Sequence, residues 1–314
     1  MSTVGPGTRK VLLIADPGID TAFAIALALH DPNLDVVGLV PTAGNVSAEQ
    51  ATANVHILID QVDPKKWPRT ATALAVEYEK DGLAQHGPGG LGGIAFPSTT
   101  RHQTLPADKA IVDIVRQFPH EVTIIVLGPI TVLAQALARD PELPHSIDRV
   151  IWVAGAYREP GNAGPMAEFH IWLDPESGQC VIQACPALLI VPLDVTRQFI
   201  LSPTELLDLP NPDSKTSQFL RRVVPFGIRA SSNIYGIEGF HLKDVLGVAA
   251  AALPGSVSVV PKAVAIETQG HLTRGVMVVD DRPLASVAPN AQLAVGAAIG
   301  EIRQWMMQVL KNAP

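Results

Sequence analysis

Two aspartates, Asp16 and Asp20, stand on either side of a Pro-Gly turn where the apolar run Val11 to Ile14 gives way to a helix-length run from Thr21 to His30. Carboxylates placed there can hold hydroxyls, ligate a cation or take a proton from water. Taken singly, each also has a plain structural reading, Asp20 as a helix N-cap and Asp16 as a turn former. Other polar groups follow later apolar runs: Asn45 in "TAGN", Thr131 in "GPIT", and Asn162, Glu168, His170 and Asp174 in "GNAGPMAEFHIWLDPE". If the apolar runs are strands of one parallel sheet, all of these groups meet on its carboxyl edge, where open α/β sheets bind their ligands. Asp, Asn, Glu and a main-chain carbonyl make an oxygen-rich set, suited to Ca²⁺ or to a polyhydroxy ligand such as a sugar. The same carboxylates can activate water against a glycosidic carbon, as in inverting glycosidases.

The elements that must position these residues are legible as a βα series. Val11 to Ile14 is short, apolar and bounded by charge, which suits a buried parallel strand. Leu34 to Val40 reads as a second strand, and Ser47 to Val62 as a helix opened by Ser47 with Gln50 three residues on, a capping-box pattern. "VTIIVLG" (122–128), "RVIWVAGA" (149–156) and "ALLIVPLD" (187–194) read as further strands, with "ADKAIVDIVRQF" and "TVLAQALARD" as helices between them. Residues 77–105 lack periodicity and predict a long surface loop. Helices are expected from Ser202 until 256–267 and 275–279, which predict strands of a smaller sheet, before a closing helix from about Asn290 to Leu310. The fold class is therefore α/β, an open and mainly parallel sheet flanked by helices with a small extra β segment near the C-terminus, in one domain over residues 1–314.

Composition narrows the function classes. The chain has 314 residues, 47% hydrophobic, enough for a sizeable core. A net charge of -7 supplies no basic field for nucleic acid or an anionic membrane, and Lys65, Lys66 and Arg69 read as a solvated linker. Cys180 and Cys185 match neither a CxxC pair nor a zinc spacing, so buried free thiols are expected. The polar N-terminus and the short apolar run behind it predict neither a signal peptide nor a membrane span, and hence a cytoplasmic protein. "GPGGLG" (87–92) fits G-x-G-x-x-G but lacks the strand before it and the helix after it that a dinucleotide site needs. His56, on an apolar helix face, reads as a structural residue.

"DPGID" after the first strand, "AGN" after the second, then "GPIT", "GN..PMAEFHIWLDPE", "GIEGFHLKDVLGVAAA" and "LTRGVMVVDD" occur in the order found in the inosine-uridine preferring nucleoside hydrolases. The chain resembles that family from about residue 11 to about residue 282. The resemblance implies a bound Ca²⁺ and hydrolysis of the N-glycosidic bond of ribonucleosides by a metal-activated water, through an oxocarbenium-like transition state. It places Asp16 as metal ligand and catalytic base, and Asp20 on a ribose hydroxyl. Asn45, Asn162 and Glu168 fall on positions that contact or line the ribose pocket. Thr131, through its carbonyl, and Asp244 fall on metal ligands.

The departures from the family pattern matter equally. "IADPGIDTA" stands where the family reads DTDPGxDDA, so Ile14 replaces the first aspartate and Thr21 the last, a metal ligand. His170 stands for an asparagine in the substrate pocket. Lys243 replaces a histidine that is a candidate leaving-group acid in several members, which leaves Lys243 and His241 as catalytic candidates on that side. The expectation is a cytoplasmic homodimer or homotetramer acting on a small ribonucleoside in purine and pyrimidine salvage, with a Ca²⁺ site that Thr21 and Lys243 weaken or empty, or that the Thr21 hydroxyl or a water completes as an ordinary Ca²⁺ sphere. The alternative is a catalytically silent member that binds a nucleoside or ribose as a sensor. Tyr78, His86, Asn233 and Tyr235 fall in the stretches where the family grips the base.

Overall fold

The computed structural model describes residues 7–97, 105–282 and 287–313. Its strands are β1 (Arg9–Ala15), β2 (Leu34–Pro41), β3 (Arg69–Thr72), β4 (Leu105–Pro106), β5 (Val122–Leu127), β6 (Arg149–Val153), β7 (Leu188–Val191), β8 (Ile200–Leu201), β9 (Phe240–His241), β10 (Val257–Ile266), β11 (Met277–Asp280) and β12 (Ala291–Ala297). Ten of them form one sheet in the order β11-β10-β12-β7-β6-β5-β1-β2-β3-β4, and β8 pairs with β9 separately. From β12 to β4 every neighbouring pair is parallel; β12 to β10 and β10 to β11 are antiparallel. The central strands are apolar on both faces because helices cover both, giving two cores: one holds Leu13, Ile25, Leu127 and Leu246, the other Leu12, Ile124, Trp152 and Ile190.

The chain runs outward from β1 through β2, β3 and β4, then returns to lay β5 on the other side of β1. Strand order reverses at β1 and β5, and a crevice opens at such a switch point beyond the strands' carboxyl ends. Asp16 is the first residue past β1, and Gly128, the first past β5, lies beside it: a Cβ there would come within 3.0 Å of the Asp16 carboxyl carbon. The buried Trp152 indole donates to the Gly128 carbonyl at 3.1 Å and fixes that loop.

Several local expectations are corrected. The helix Ile19–His30 begins before Asp20, with Gly18 as its N-cap, so Asp20 is a first-turn acid and not the cap. Ser47 does cap the helix Ala48–Val62, accepting from the Gln50 N–H, but the Gln50 side chain turns to Asn54, so the reciprocal half of the capping box is missing. β10 and β11 extend the main sheet and form no smaller one, and the closing helix starts at Ile299 because Ala291–Ala297 pairs between β7 and β10. The 77–97 stretch is largely an exposed loop as expected, but it holds the short helix Leu83–His86 and tucks His86 and Leu91 into the interior. Residues 98–104 of that predicted loop lie outside the described residues. Both cysteines are free, but Cys180 is exposed.

Candidate active site

Burial and partners of Asp16 follow from its place in the sheet. It is wholly buried; its Oδ2 accepts from the Asn45 N–H at 2.9 Å, and its carbonyl accepts from Asn45 Nδ2 at 3.0 Å. Asn45 thus positions Asp16, and it lines neither cavity described below. Asp16 Oδ1 has no hydrogen-bond partner. Burial first, then the charge of Asp244, pushes the Asp16 carboxyl well above the ordinary carboxylate range. Asp244, in the first turn of the helix Lys243–Ala252, is raised in the same way by burial and by Asp20. The Thr21 hydroxyl lies near enough to Asp244 to offset part of that rise, yet neither Thr21 Oγ1 nor Asp244 Oδ1 completes a well-formed hydrogen bond.

Asp20 faces two nitrogens, His86 Nδ1 at 3.8 Å and Lys243 Nζ at 3.9 Å. His86 Nδ1 accepts from the Ile19 N–H at 3.1 Å, so its proton sits on Nε2, and burial lowers its pKa to about 4. Gly18 makes room for this ring: a Cβ there would lie 2.8 Å from it. The Lys243 side chain is largely buried; burial opposes its charge, but Asp20, Tyr235, Asp244 and Glu168 outweigh that and raise its pKa, so it is an ammonium. His241 goes the other way, lowered to about 4 by burial, Lys243 and Arg197.

Glu168 caps the helix Phe169–Leu173, its Oε2 accepting from the N–H groups of Gly155, His170 and Ile171. His170 Nδ1 donates to the Val153 carbonyl at 2.9 Å, which leaves Nε2 facing Asp16 Oδ2 at 3.8 Å. Asn162 Oδ1 accepts from the Phe169 N–H at 2.7 Å. The Thr131 hydroxyl donates to Asp174 and accepts from Tyr78 at 2.8 Å.

Two cavities meet here. The inner one, about 10 Å³, is lined by Glu168, His170, Asp244, Lys243, Leu193 and Thr196 among others. The outer one, about 10 Å³, is lined by Gln85, Asn162, Leu193, Arg197, Tyr235, His241 and Lys243. The fold therefore gathers Asp16, Asp20, Thr21, Glu168, His170, His241, Lys243 and Asp244. His86 joins them across the 77–97 segment, with Tyr235 at the outer cavity, both from the stretches expected to grip a base. The sequence signal for His86 was its place between glycines in "QHGPGG". Among the described residues no three His, Cys, Asp or Glu side chains gather as a metal-binding group.

The inosine-uridine preferring nucleoside hydrolase family matches residues 11–303. A "Non-specific ribonucleoside hydrolase RihC" from Escherichia coli (strain UTI89) is 34% identical over 306 residues, 96% of this chain and 98% of that protein. Among solved structures, a "Plant nucleoside hydrolase - PpNRh1 enzyme" superposes with a TM-score of 0.90 at 28% identity, covering 98% of this chain and 100% of that one. A "Purine-Preferring Ribonucleoside Hydrolase from Gardnerella vaginalis" gives 0.89 at 27% identity, covering 97% and 99%.

Proposed function

The chain belongs to the inosine-uridine preferring nucleoside hydrolase family and hydrolyses N-glycosidic bonds of ribonucleosides, and from that premise we propose that Asp16 is the base that takes the proton from the attacking water. The observation that supports this is the buried Asp16 carboxyl: its Oδ1 has no hydrogen-bond partner among the described residues, and its Oδ2 lies 3.8 Å from Nε2 of His170, which lines the inner cavity. Asp20, Asn162, Glu168 and His170 hold the ribose. Glu168 faces the sugar with the negative charge that an oxocarbenium-like centre needs. The silent-binder alternative has less support, because Asp16, Asp20, Glu168 and Asp244 are retained and the curated relatives are ribonucleoside hydrolases.

A divalent cation fits the donor set in kind: Asp16 Oδ1, Thr21 Oγ1 and Asp244 Oδ1 are buried oxygens with no partner. Asp16, Thr21, Asp244 and the Thr131 carbonyl would hold Ca²⁺. When bound, it supplies counter-charge and lowers the pKa of a ligated water. With Thr21 where the family has an aspartate, this site has one carboxylate fewer, and its affinity is correspondingly weak. A buried carboxyl with a raised pKa takes up a proton on folding, so without a cation stability falls as pH climbs above 3.8 towards the raised values. Added Ca²⁺ should therefore raise Tm more at about pH 8 than at about pH 5, and T21D should tighten Ca²⁺ in calorimetric titration. Stabilisation that is the same at both pH values would remove these carboxylates from the metal site.

A cytoplasmic address, a salvage role and homo-oligomeric assembly belong to the same proposal; among the described residues no helix is long and apolar enough to cross a membrane. The leaving-group side supplies the functional test. His241 and His86 are neutral at ordinary pH and Lys243 is a poor proton donor there, so protonation of the departing base is the weak step. A nitrophenyl riboside, which needs no such proton, should be hydrolysed about 10²-fold or more faster than inosine. Equal rates would show that an efficient leaving-group acid is present.

A further inference from the structure

Strand β6 runs out into a loop whose residues 157–166 include none that is buried, so polar tethers and not apolar packing must fix its course. The exit of β7 supplies them in order along the loop. The Leu193 N–H donates to the Gly155 carbonyl at 2.7 Å, and the Asp194 carboxylate accepts from the N–H groups of Tyr157 at 3.2 Å and Arg158 at 2.9 Å. Arg197, the C-cap residue of the short helix Leu193–Thr196, reaches furthest. One of its guanidinium nitrogens donates to the Glu159 carboxylate and another to the Gly161 carbonyl, each at 3.2 Å. That carbonyl belongs to the peptide that joins Gly161 to Asn162. Beyond it the loop closes on itself: the Asn162 N–H donates to the Ala167 carbonyl at 3.1 Å, and Asn162 Oδ1 accepts from the Phe169 N–H at 2.7 Å. The amide is thereby oriented, with Nδ2 as its side-chain donor. A Cβ at Gly161 would lie 2.2 Å from the Ala167 carbonyl oxygen, so the turn is tight and shifts as one piece. Lys80 donates to the Ala163 carbonyl at 2.6 Å, but as a single ammonium on an exposed side chain. The Arg197 side chain is 24% exposed and holds two points with a rigid fork.

We infer that Arg197 is a positioning residue: its guanidinium holds the Gly161–Asn162 peptide and through it sets the place of the Asn162 amide. This rests on the hydrolase reading in which Asn162 holds the ribose, and it adds to that site a residue that acts from outside the sugar contacts. A contact to a part of the substrate that does not react is made alike before and in the transition state, so weakening it raises KM and leaves kcat nearly unchanged. Arg197 lines the outer cavity together with Asn162, so a contact of its own with substrate is the competing role. The two roles differ in one respect. A residue that acts through Asn162 has no effect left once the Asn162 amide is gone, whereas a residue that touches substrate keeps its effect.

The experiment is a double-mutant cycle, with kcat and KM for inosine measured in the wild type, R197M, N162A and the doubly substituted protein. R197M should raise KM about 10-fold with kcat within about twofold of the wild type, the loss expected for one charge-assisted hydrogen bond to the loop. N162A should raise KM at least as much, and adding R197M to it should change KM by less than about twofold. R197K, which can reach one of the two acceptors, should recover part of the native KM. Additive effects of R197M and N162A, or an R197M effect confined to kcat, overturn the proposal and leave the hydrolase reading intact. Absence of wild-type turnover on any ribosyl compound overturns both. Should R197M fail to fold by circular dichroism, the same cycle with R197K decides: its smaller rise in KM should vanish in the N162A background, and a rise that persists there in full contradicts the proposal.

Discussion

Replacing Asp16 by Asn is expected to lower kcat by about 10³-fold or more while leaving the fold intact. The carboxylate is the proposed proton acceptor, and an amide of the same shape cannot accept that proton. The fold survives because Asn keeps the volume and can still offer an oxygen to the Asn45 N–H, 2.9 Å away in the native protein. Stability in the absence of a cation should rise, because the variant removes a buried charge that burial and Asp244 already disfavour. Turnover by D16N at the native rate would assign the base to another residue.

Substitution of Gly44 by Ala should be nearly as damaging, although Gly44 takes no part in the chemistry. A Cβ at Gly44 would lie 2.1 Å from Asp16 Oδ2 and 2.8 Å from Pro129 Cδ, so the carboxylate or the loop after β2 must shift. Its φ is not positive, so strain in the backbone is not the cause. A displacement of about 1 Å in a catalytic group costs on the order of 10²-fold in rate. We expect G44A to lose about that factor in kcat and to keep its near-native circular dichroism. Full activity in G44A would mean that the position of Asp16 is not what limits turnover.

Much of this site was legible in the sequence because strand, turn and helix are encoded locally. "VLLIADPG" reads as a buried strand ending in an acid, and the sheet needs only that strand's neighbours to complete the rim. What escaped depends on distance. The 77–97 segment has no periodicity because glycine turns with positive φ at Gly87, Gly89 and Gly90 hold it, and the burial of His86 comes from its packing against Gly18. "AQLAVGA" reads as the start of a helix by composition, and only pairing with β7 and β10 makes it a strand. Asn45 read as a position that contacts or lines the ribose pocket; that its N–H and Nδ2 also hold Asp16 is visible only in the fold. The burial of the Lys243 ammonium rests on Asp20, more than two hundred residues earlier in the chain.

The most direct test of the account is the release of free ribose by the purified protein from inosine, uridine, cytidine and adenosine, with Ca²⁺ added and after chelation. The account predicts ribose release in the presence of Ca²⁺, reduced by chelation. No release from any of the four under either condition, by a protein that still binds ribose, would contradict it.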